Sequence, residues 1–312
     1  MKIAIVGVGA MGSRFALMLK HSGNEVTLID GWQPNVEAIK AHGLQADFNG
    51  KHVQSKMPIY ALDEVDQLQD YQPDLIIAFT KSNQLDEAFQ KAQSLISPQT
   101  YVLCLLNGMG HEEILKKYVS EEHLILGITM WTAGLAGPGQ ATLFGNGNVE
   151  LQNFAAVDKD FALEVEQVFA AAGLNPKYSD NVSYSIWRKA CVNGTLNTLC
   201  SILDCNIGEL GQTKESEALL KAIIAEFAAV AAHEGIDLDQ AEVFEHVAET
   251  FTADIADHYP SMYQDLIKNH RNTEIDFING AVWRRGQEYG IATPYCALIT
   301  QLIHAKEQLL NK

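Results

Sequence analysis

The sequence predicts an α/β chain: a doubly wound, mostly parallel sheet followed by an all-helical domain. Three observations carry this. The chain opens on a buried apolar run, Ile3 to Val6, that ends in a glycine turn. Apolar runs of strand length then alternate with segments of helical period, the pattern of a sheet covered by helices. After about Tyr178 only helical spacing remains. At 312 residues the chain has room for two cores, and the change of pattern divides it into 1–178 and 179–312.

The first strand, Ile3–Val6, runs into Gly7, Gly9 and Gly12, spaced as G-x-G-x-x-G, and an amphipathic helix over Ala10–His21 follows at once. The first glycine permits the tight turn, the second lets the backbone approach a pyrophosphate, and the third lets helix and strand pack closely. The helix N-terminus offers N–H groups and a positive dipole end to phosphate. Gly7, Val8, Gly9, Ala10, Met11 and Gly12 therefore read as a dinucleotide-binding turn. The second strand, Glu25–Ile29, ends in Asp30. A carboxylate there can accept from both adenosine ribose hydroxyls and repels a 2′-phosphate. Gly31, Trp32 and Gln33 bring no cation to offset it, so NAD is expected over NADP. The alternative for Asp30 is a cap on the loop leading into the helix near Pro34.

The alternation continues with a helix over Pro34–His42 and a hairpin turning at Asn49-Gly50. Strand Asp74–Thr80, helix Asn83–Ile96, and strands Tyr101–Leu106 and Leu124–Met130 follow, then a loop and hairpin over Gly134–Gly147. Ligands of such sheets lie at the C-terminal strand ends. Lys81 and Asn107-Gly108-Met109-Gly110 follow two of those ends, although Asn-Gly also suits a plain turn. Segments 183–203, 216–234, 240–252, 274–289 and 293–310 read as helices, and the active site is expected in the cleft between the domains.

Composition excludes several classes. A net charge of −17 argues against nucleic acid and anionic membranes. No run is long enough to span a bilayer, and the N-terminus lacks the basic start and cleavage site of a signal peptide, so a cytoplasmic enzyme is expected. The five cysteines, Cys104, Cys191, Cys200, Cys205 and Cys296, form no C-x-x-C pair and read as buried free thiols. The histidines show no metal-ligand spacing, and no nucleophile elbow is present. No metal is expected.

In the helical half, Lys189, Asn193 and Asn197 stand at i, i+4 and i+8 on one face of an otherwise apolar helix. A polar stripe there needs partners, because a buried unsatisfied polar group costs about 1–3 kcal/mol. A ligand-filled cleft supplies them, while a solvated face is the plainer alternative. Glu274 opens the segment through Ile275, Phe277, Ile278 and Val282, where an acid also suits a helix dipole. Ser261, after Pro260, equally reads as an N-cap.

Taken together, the glycine turn, Lys81, Leu106-Asn107-Gly108-Met109-Gly110, Trp187-Arg188-Lys189 with Asn193 and Asn197, Ser261-Met262-Tyr263-Gln264-Asp265 and Thr273–Gly280 resemble the ketopantoate reductase (2-dehydropantoate 2-reductase) family over essentially the whole chain. The resemblance implies an N-terminal Rossmann domain, a helical C-terminal domain like that of 6-phosphogluconate dehydrogenase, and reduction of a 2-oxo acid. It implies Lys189 as general acid and Glu274 as its partner and substrate ligand. It sets Asn107 beside nicotinamide and carbonyl, Asn193, Asn197 and Ser261 on the substrate, and Lys81 near the cofactor. The family usually uses NADPH, with a basic residue near the end of the second strand. Asp30-Gly31-Trp32, and Pro260 in the familiar Ser-Ser-Met, depart from that. Asp30 makes the chain resemble the NAD-dependent D-2-hydroxy acid dehydrogenase branch, whose substrates are branched at C3 and include mandelate. Ketopantoate reductase proper is second, and a catalytically silent NAD sensor is the alternative of another class. The apolar C-terminal helices permit a homodimer.

Overall fold

The computed structural model describes residues 1–68, 70–156 and 159–310. It divides into two compact units, one of Met1–Leu106 and His111–Val182, the other of Asn107–Gly110 and Ser183–Lys312. The boundary thus lies a few residues after the expected 178, and the Asn107–Gly110 loop groups with the helical unit. The physical reason is a backbone bond: the Met109 N–H donates to the Phe277 carbonyl at 2.7 Å.

The first unit runs β1 (Lys2–Val6), α1 (Ala10–His21), β2 (Glu25–Asp30), α2 (Gln33–His42), β3 (Leu44–Phe48), β4 (Lys51–Ser55), β5 (Ile59–Ala61), β6 (Leu75–Ala78) and α3 (Leu85–Lys91). It continues with β7 (Tyr101–Cys104), α4 (His111–Leu115), β8 (Leu124–Thr129), β9 (Thr132–Gly137), β10 (Gln140–Phe144), β11 (Val149–Asn153), α5 (Asp160–Ala171) and β12 (Pro176–Tyr178). Among the described residues the main sheet has the order β12-β11-β8-β7-β6-β1-β2-β5. Every join in it is parallel except β8–β11. Read from β5 to β8, this is the 3-2-1-4-5-6 order of a Rossmann sheet, whose topological switch falls between β1 and β6. A second sheet, β4-β3-β10-β9, packs the two hairpins together, where the sequence reading expected a loop and hairpin.

The central strands are buried on both faces, as β1 and β6 require with no polar residue in their cores. Helix α1 carries one unexpected tie. Arg14 is fully buried, and its Nη2 donates to the Thr132 carbonyl at 2.9 Å and the Phe144 carbonyl at 2.8 Å. Its guanidinium stacks over Trp131, 4.5 Å from the ring centre. Burial lowers its pKa. This cation joins the helix of the glycine turn to both strands of the β9–β10 hairpin.

The second unit runs α6 (Val182–Leu203), α7 (Ile207–Gly211), α8 (Ser216–His233), α9 (Gln240–Thr250), α10 (Ser261–Tyr263), α11 (Asn279–Tyr289) and α12 (Pro294–Leu310). Gly194 sets the approach of α6 to α8, since a Cβ there would lie 2.6 Å from Phe227 Cζ. Buried Asn279 of α11 donates to the Gly194 carbonyl at 3.1 Å. Buried Glu226 of α8 caps α12, accepting from the Tyr295 and Cys296 N–H groups at 2.8 Å each.

Two expected helices are interrupted. The Asn83–Ile96 segment is a 3-10 turn, the short α3 and a second 3-10 turn, because the chain straightens before β7. The segment from Glu274 is a 3-10 turn over Ile275–Phe277, and α11 starts only at Asn279. Ile278 stands between them outside the helical region, at φ −116° and ψ −100°. The sequence reading passed over β5, β11, α5 and β12, and placed no element over α7.

Gly12 permits no side chain, since a Cβ would lie 2.0 Å from the Gly7 carbonyl oxygen. Gly12→Ala should therefore destabilise the first unit by about 2 kcal/mol or more. Thermal unfolding of the variant checks this, and an unchanged melting temperature would contradict it.

Candidate functional site

The first element of the site is the glycine turn between β1 and α1. Gly7 adopts φ +97°, and a Cβ there would meet the Phe79–Thr80 peptide at 2.5 Å. A Cβ on Gly9 would meet nothing within 4 Å, so open space lies beside the backbone. Gly9 is the N-cap of α1, and no side chain caps the first turn. Space and uncapped N–H groups together fit a pyrophosphate. The pieces flank the sheet's switch point, with Lys81 following β6, the other strand at the switch.

Asp30 stands at the end of β2 and is 7% exposed. Its Oδ2 accepts from the Val8 N–H at 2.7 Å and from Asn35 Nδ2 at 3.1 Å, and its Oδ1 accepts from the Trp32 N–H at 2.7 Å. The capping geometry weighed for Asp30 is therefore present, and it reaches back to the glycine turn itself. Burial raises the carboxyl pKa, while the bonds to Trp32, Val8, Asn35 and Gly31 work against that. A negative charge is thus held at the strand end by backbone donors.

The second element lies wholly within the helical unit. A small polar pocket is lined by Asn107, Asn193, Asn197, Ser261, Asp265 and Glu274, with Met262 and Ile278 as its apolar wall. Five of these polar residues are ones the sequence singled out. Asn193 and Asn197 come from one face of α6, and Asn197 Nδ2 donates to Ser261 Oγ at 3.3 Å. Ser261 is the first residue of α10, with Pro260 as N-cap, so it is not the cap it resembled. Asn107 is fixed by its neighbours. Gly108 adopts φ +98°, a Cβ there would strike the Phe277 carbonyl oxygen at 2.3 Å, and that carbonyl accepts from Met109. Glu274 is bracketed likewise: the Thr273 N–H donates to Glu307 at 2.6 Å, and the Ile275 N–H donates to Thr273 Oγ1 at 3.3 Å.

Lys189 lies one turn before Asn193 on α6 and interacts electrostatically with Glu274. Desolvation lowers its pKa to about 8, and the Glu274 charge opposes that fall. Lys189 is thus coupled to the pocket through the charge of Glu274, which shares the lining with three amide side chains and a hydroxyl, groups able to bind a polar oxygen. A larger apolar hollow of about 360 Å3, beside Leu17, Met18, Phe48 and Val53, offers no comparable set of groups.

Asp265 was quoted within a motif but not singled out as a site residue. It is 6% exposed, and its Oδ1 accepts from Arg271 Nη2 at 2.7 Å. It sits in a π-helical stretch, Gln264–Lys268, a local irregularity common at functional sites and invisible to helical periodicity. Asn35 was missed as well, because one asparagine on a short polar helix reads as surface.

A lysine whose folded pKa lies below its unfolded value of 10.5 costs stability while protonated. The unfolded chain binds the extra proton between about pH 8 and 10.5, so this group's contribution improves as pH rises through that window. The side chain is partly exposed, which discounts the cost to about 1–3 kcal/mol. Lys189→Met should therefore be more stable than the parent by that amount at pH 7, with the gain shrinking above pH 8. Urea unfolding at pH 7 and pH 9.5 measures it, and a less stable variant at pH 7 would contradict the assignment.

Comparison with known proteins identifies the family. Family models described as ketopantoate reductase PanE/ApbA and its C-terminal domain match residues 3–156 and 181–307. A 2-dehydropantoate 2-reductase of Lactococcus lactis subsp. lactis (strain IL1403) is 54% identical, covering 100% of this chain and 99% of that one. One from Streptococcus pyogenes serotype M1 is 45% identical over 100% of this chain and 99% of its own. A solved D-mandelate dehydrogenase, in a ternary complex with NADH and anilino(oxo)acetate, is 57% identical, covers 100% of each chain and superposes with a TM-score of 0.96. The chain belongs to the ketopantoate reductase family, and it is an oxidoreductase that works on a 2-oxo acid.

Proposed function

We propose that this enzyme interconverts a C3-branched 2-oxo acid and its D-2-hydroxy acid, phenylglyoxylate and D-mandelate being the type pair, with NAD(H) as cofactor. The observation that carries the cofactor choice is Asp30, a buried carboxylate tied to the glycine turn at the end of β2. A 2′-phosphate brought against it meets a like charge, and Gly31, Trp32 and Gln33 offer no cation. Such a contact costs several kcal/mol. The likeness to a D-mandelate dehydrogenase bound to NADH and an aryl-substituted oxo acid derivative supports both cofactor and substrate class. The reading of 2-dehydropantoate 2-reductase stands second, favoured by the names of the Lactococcus and Streptococcus relatives.

In this reading Gly7, Val8, Gly9, Ala10, Met11 and Gly12 hold the pyrophosphate, and Lys81 lies near the cofactor. When bound, the nicotinamide supplies or accepts the hydride. The chain's own residues manage the oxygen and its proton. Lys189 donates a proton to the carbonyl oxygen during reduction and takes it back during oxidation. Its depressed pKa matches a group that must exchange a proton near neutrality. Glu274 binds the hydroxyl or carbonyl side and holds Lys189 in register. Asn107 orients the reacting carbonyl, while Asn193, Asn197 and Ser261 bind the substrate, Ser261 on the carboxylate side.

The tests separate substrate from mechanism. With NADH, kcat/KM for phenylglyoxylate should exceed that for ketopantoate by tenfold or more (~1.4 kcal/mol), and the reverse order would restore the second reading. Lys189→Ala should lower kcat by about 10²–10⁴-fold with NADH affinity nearly unchanged, and a near-normal kcat would sink its role. Reduction needs the ammonium, so its kcat/KM should fall as pH rises above about 8, and oxidation should fall below it.

We also propose a homodimer through α12. Tyr295, Leu298, Leu302 and Leu309 are 43–64% exposed at steps of 3, 4 and 7 residues, a helix-pairing stripe. Sedimentation of the parent should give twice the chain mass, and Leu298→Glu with Leu302→Glu should give one. A monomeric parent would overturn the dimer.

A further inference from the structure

Asn35 of α2 is 1% exposed, and its bond to Asp30 is one of three that its side chain makes. Its side chain makes three hydrogen bonds to three separate segments. Nδ2 donates to the Val8 carbonyl at 3.1 Å, in the glycine turn, and to Asp30 Oδ2 at 3.1 Å, at the end of β2. Oδ1 accepts from the Gly139 N–H at 2.7 Å, in the β9–β10 turn, where Gly139 adopts φ +70°. The partners fix the amide's orientation: two are acceptors and one is a donor, so nitrogen must face the first pair and oxygen the third. Neither a carboxylate nor an apolar side chain of the same size meets all three.

We propose that Asn35 is the positioning residue for cofactor choice: it locks the Asp30 carboxylate to the glycine turn and thereby sets the enzyme's preference for NAD(H) over NADP(H). The proposal rests on the reading of Asp30 given above and assigns the discrimination to a second residue. Without the Nδ2 bond, Asp30 keeps Val8, Gly31 and Trp32 as donors but loses its side-chain donor. The Val8 carbonyl keeps only the longer bond from Ser13 Oγ at 3.3 Å, the Val8 N–H alone ties the glycine turn to Asp30, and the link through Asn35 to the Gly139 turn is lost. No charged neighbour can substitute: among the described residues only burial and hydrogen bonds set the proton affinity of Asp30. On the packed elements, β5 places Ala61 opposite Asp30, and Lys40 of α2 pairs with Glu64.

The test measures kcat/KM with NADH and with NADPH for the parent, Asn35→Leu and Asn35→Asp. In Asn35→Leu the NADH preference should fall about tenfold, the worth of one charge-assisted bond, with KM for NADH raised and kcat at saturating NADH within about twofold of the parent. Asn35→Asp keeps an acceptor for Gly139 but sets a second carboxyl against Asp30. At pH 5.5 the pair shares a proton and the O–H replaces the amide donor, whereas at pH 8 both ionise and repel. The NADH Kd of this variant should therefore weaken about tenfold across that range, while the parent's stays nearly flat. A merely space-filling role is separated by Asn35→Leu, which keeps the volume but offers no donor to Asp30, and would leave its NADH preference unchanged. A parent that prefers NADH with Asn35→Leu equally selective overturns the role of Asn35 alone. A parent that prefers NADPH overturns the cofactor reading itself. Should Asn35→Leu fail to fold, a flat pH profile in Asn35→Asp overturns the proposal.

Discussion

The partial desolvation of Lys189, balanced by the charge of Glu274, is the constraint around which the pocket of the helical unit is built. The helix of Lys189, α6, is otherwise packed into the core through Ala190, Cys191, Leu196, Leu199 and Cys200. Desolvation there pulls the amine toward neutrality, and Glu274 pulls it back. The balance leaves an acid that can give up a proton at moderate pH and take one back. Neither residue sets that balance alone. Gly194 and Asn279 fix where α6 sits against α8 and α11. The bonds of Thr273 and Ile275 fix the backbone around Glu274.

The Rossmann unit solves the opposite problem, holding a buried carboxylate at the end of β2. Asp30 is buried, so its ionised form needs donors, and three of the four it uses are backbone N–H groups. One of those belongs to Val8. The buried Asp30 carboxylate therefore also shapes the glycine turn. Asp30 and that turn share one hydrogen-bond network, which runs through Asn35 to the Gly139 turn of the second sheet. Arg14 adds a second tie between α1 and the β9–β10 hairpin, through carbonyls rather than acids.

Much of this was legible in the sequence, and the failures have physical causes. Helix α1 has the bounds its period predicts, because glycine turn and apolar stripe agree. Lys189, Asn193 and Asn197 were legible because i, i+4, i+8 spacing on an apolar helix has few explanations, and two of the three line the pocket. The break at Ile278 was not legible. Its cause is the Phe277 carbonyl, which accepts from Met109, more than 160 positions earlier in the sequence. No local pattern encodes a bond of that range. Arg14, Asn35 and Asp265 were missed for a related reason: a polar side chain on a helix reads as surface until its long-range partners are known. Strands β5 and β12 are three residues each, too short for an alternation to register.

The most direct test of the account is the proton affinity of Lys189 itself. Heteronuclear NMR of lysine labelled at the ε-carbon, with Lys189→Met to assign the resonance, reads it without turnover. The account predicts a midpoint near pH 8 in the parent and a lower one in Glu274→Gln, where the opposing charge is gone. A midpoint near that of a solvated lysine, about 10.4, and unmoved by the Glu274 substitution, would contradict it.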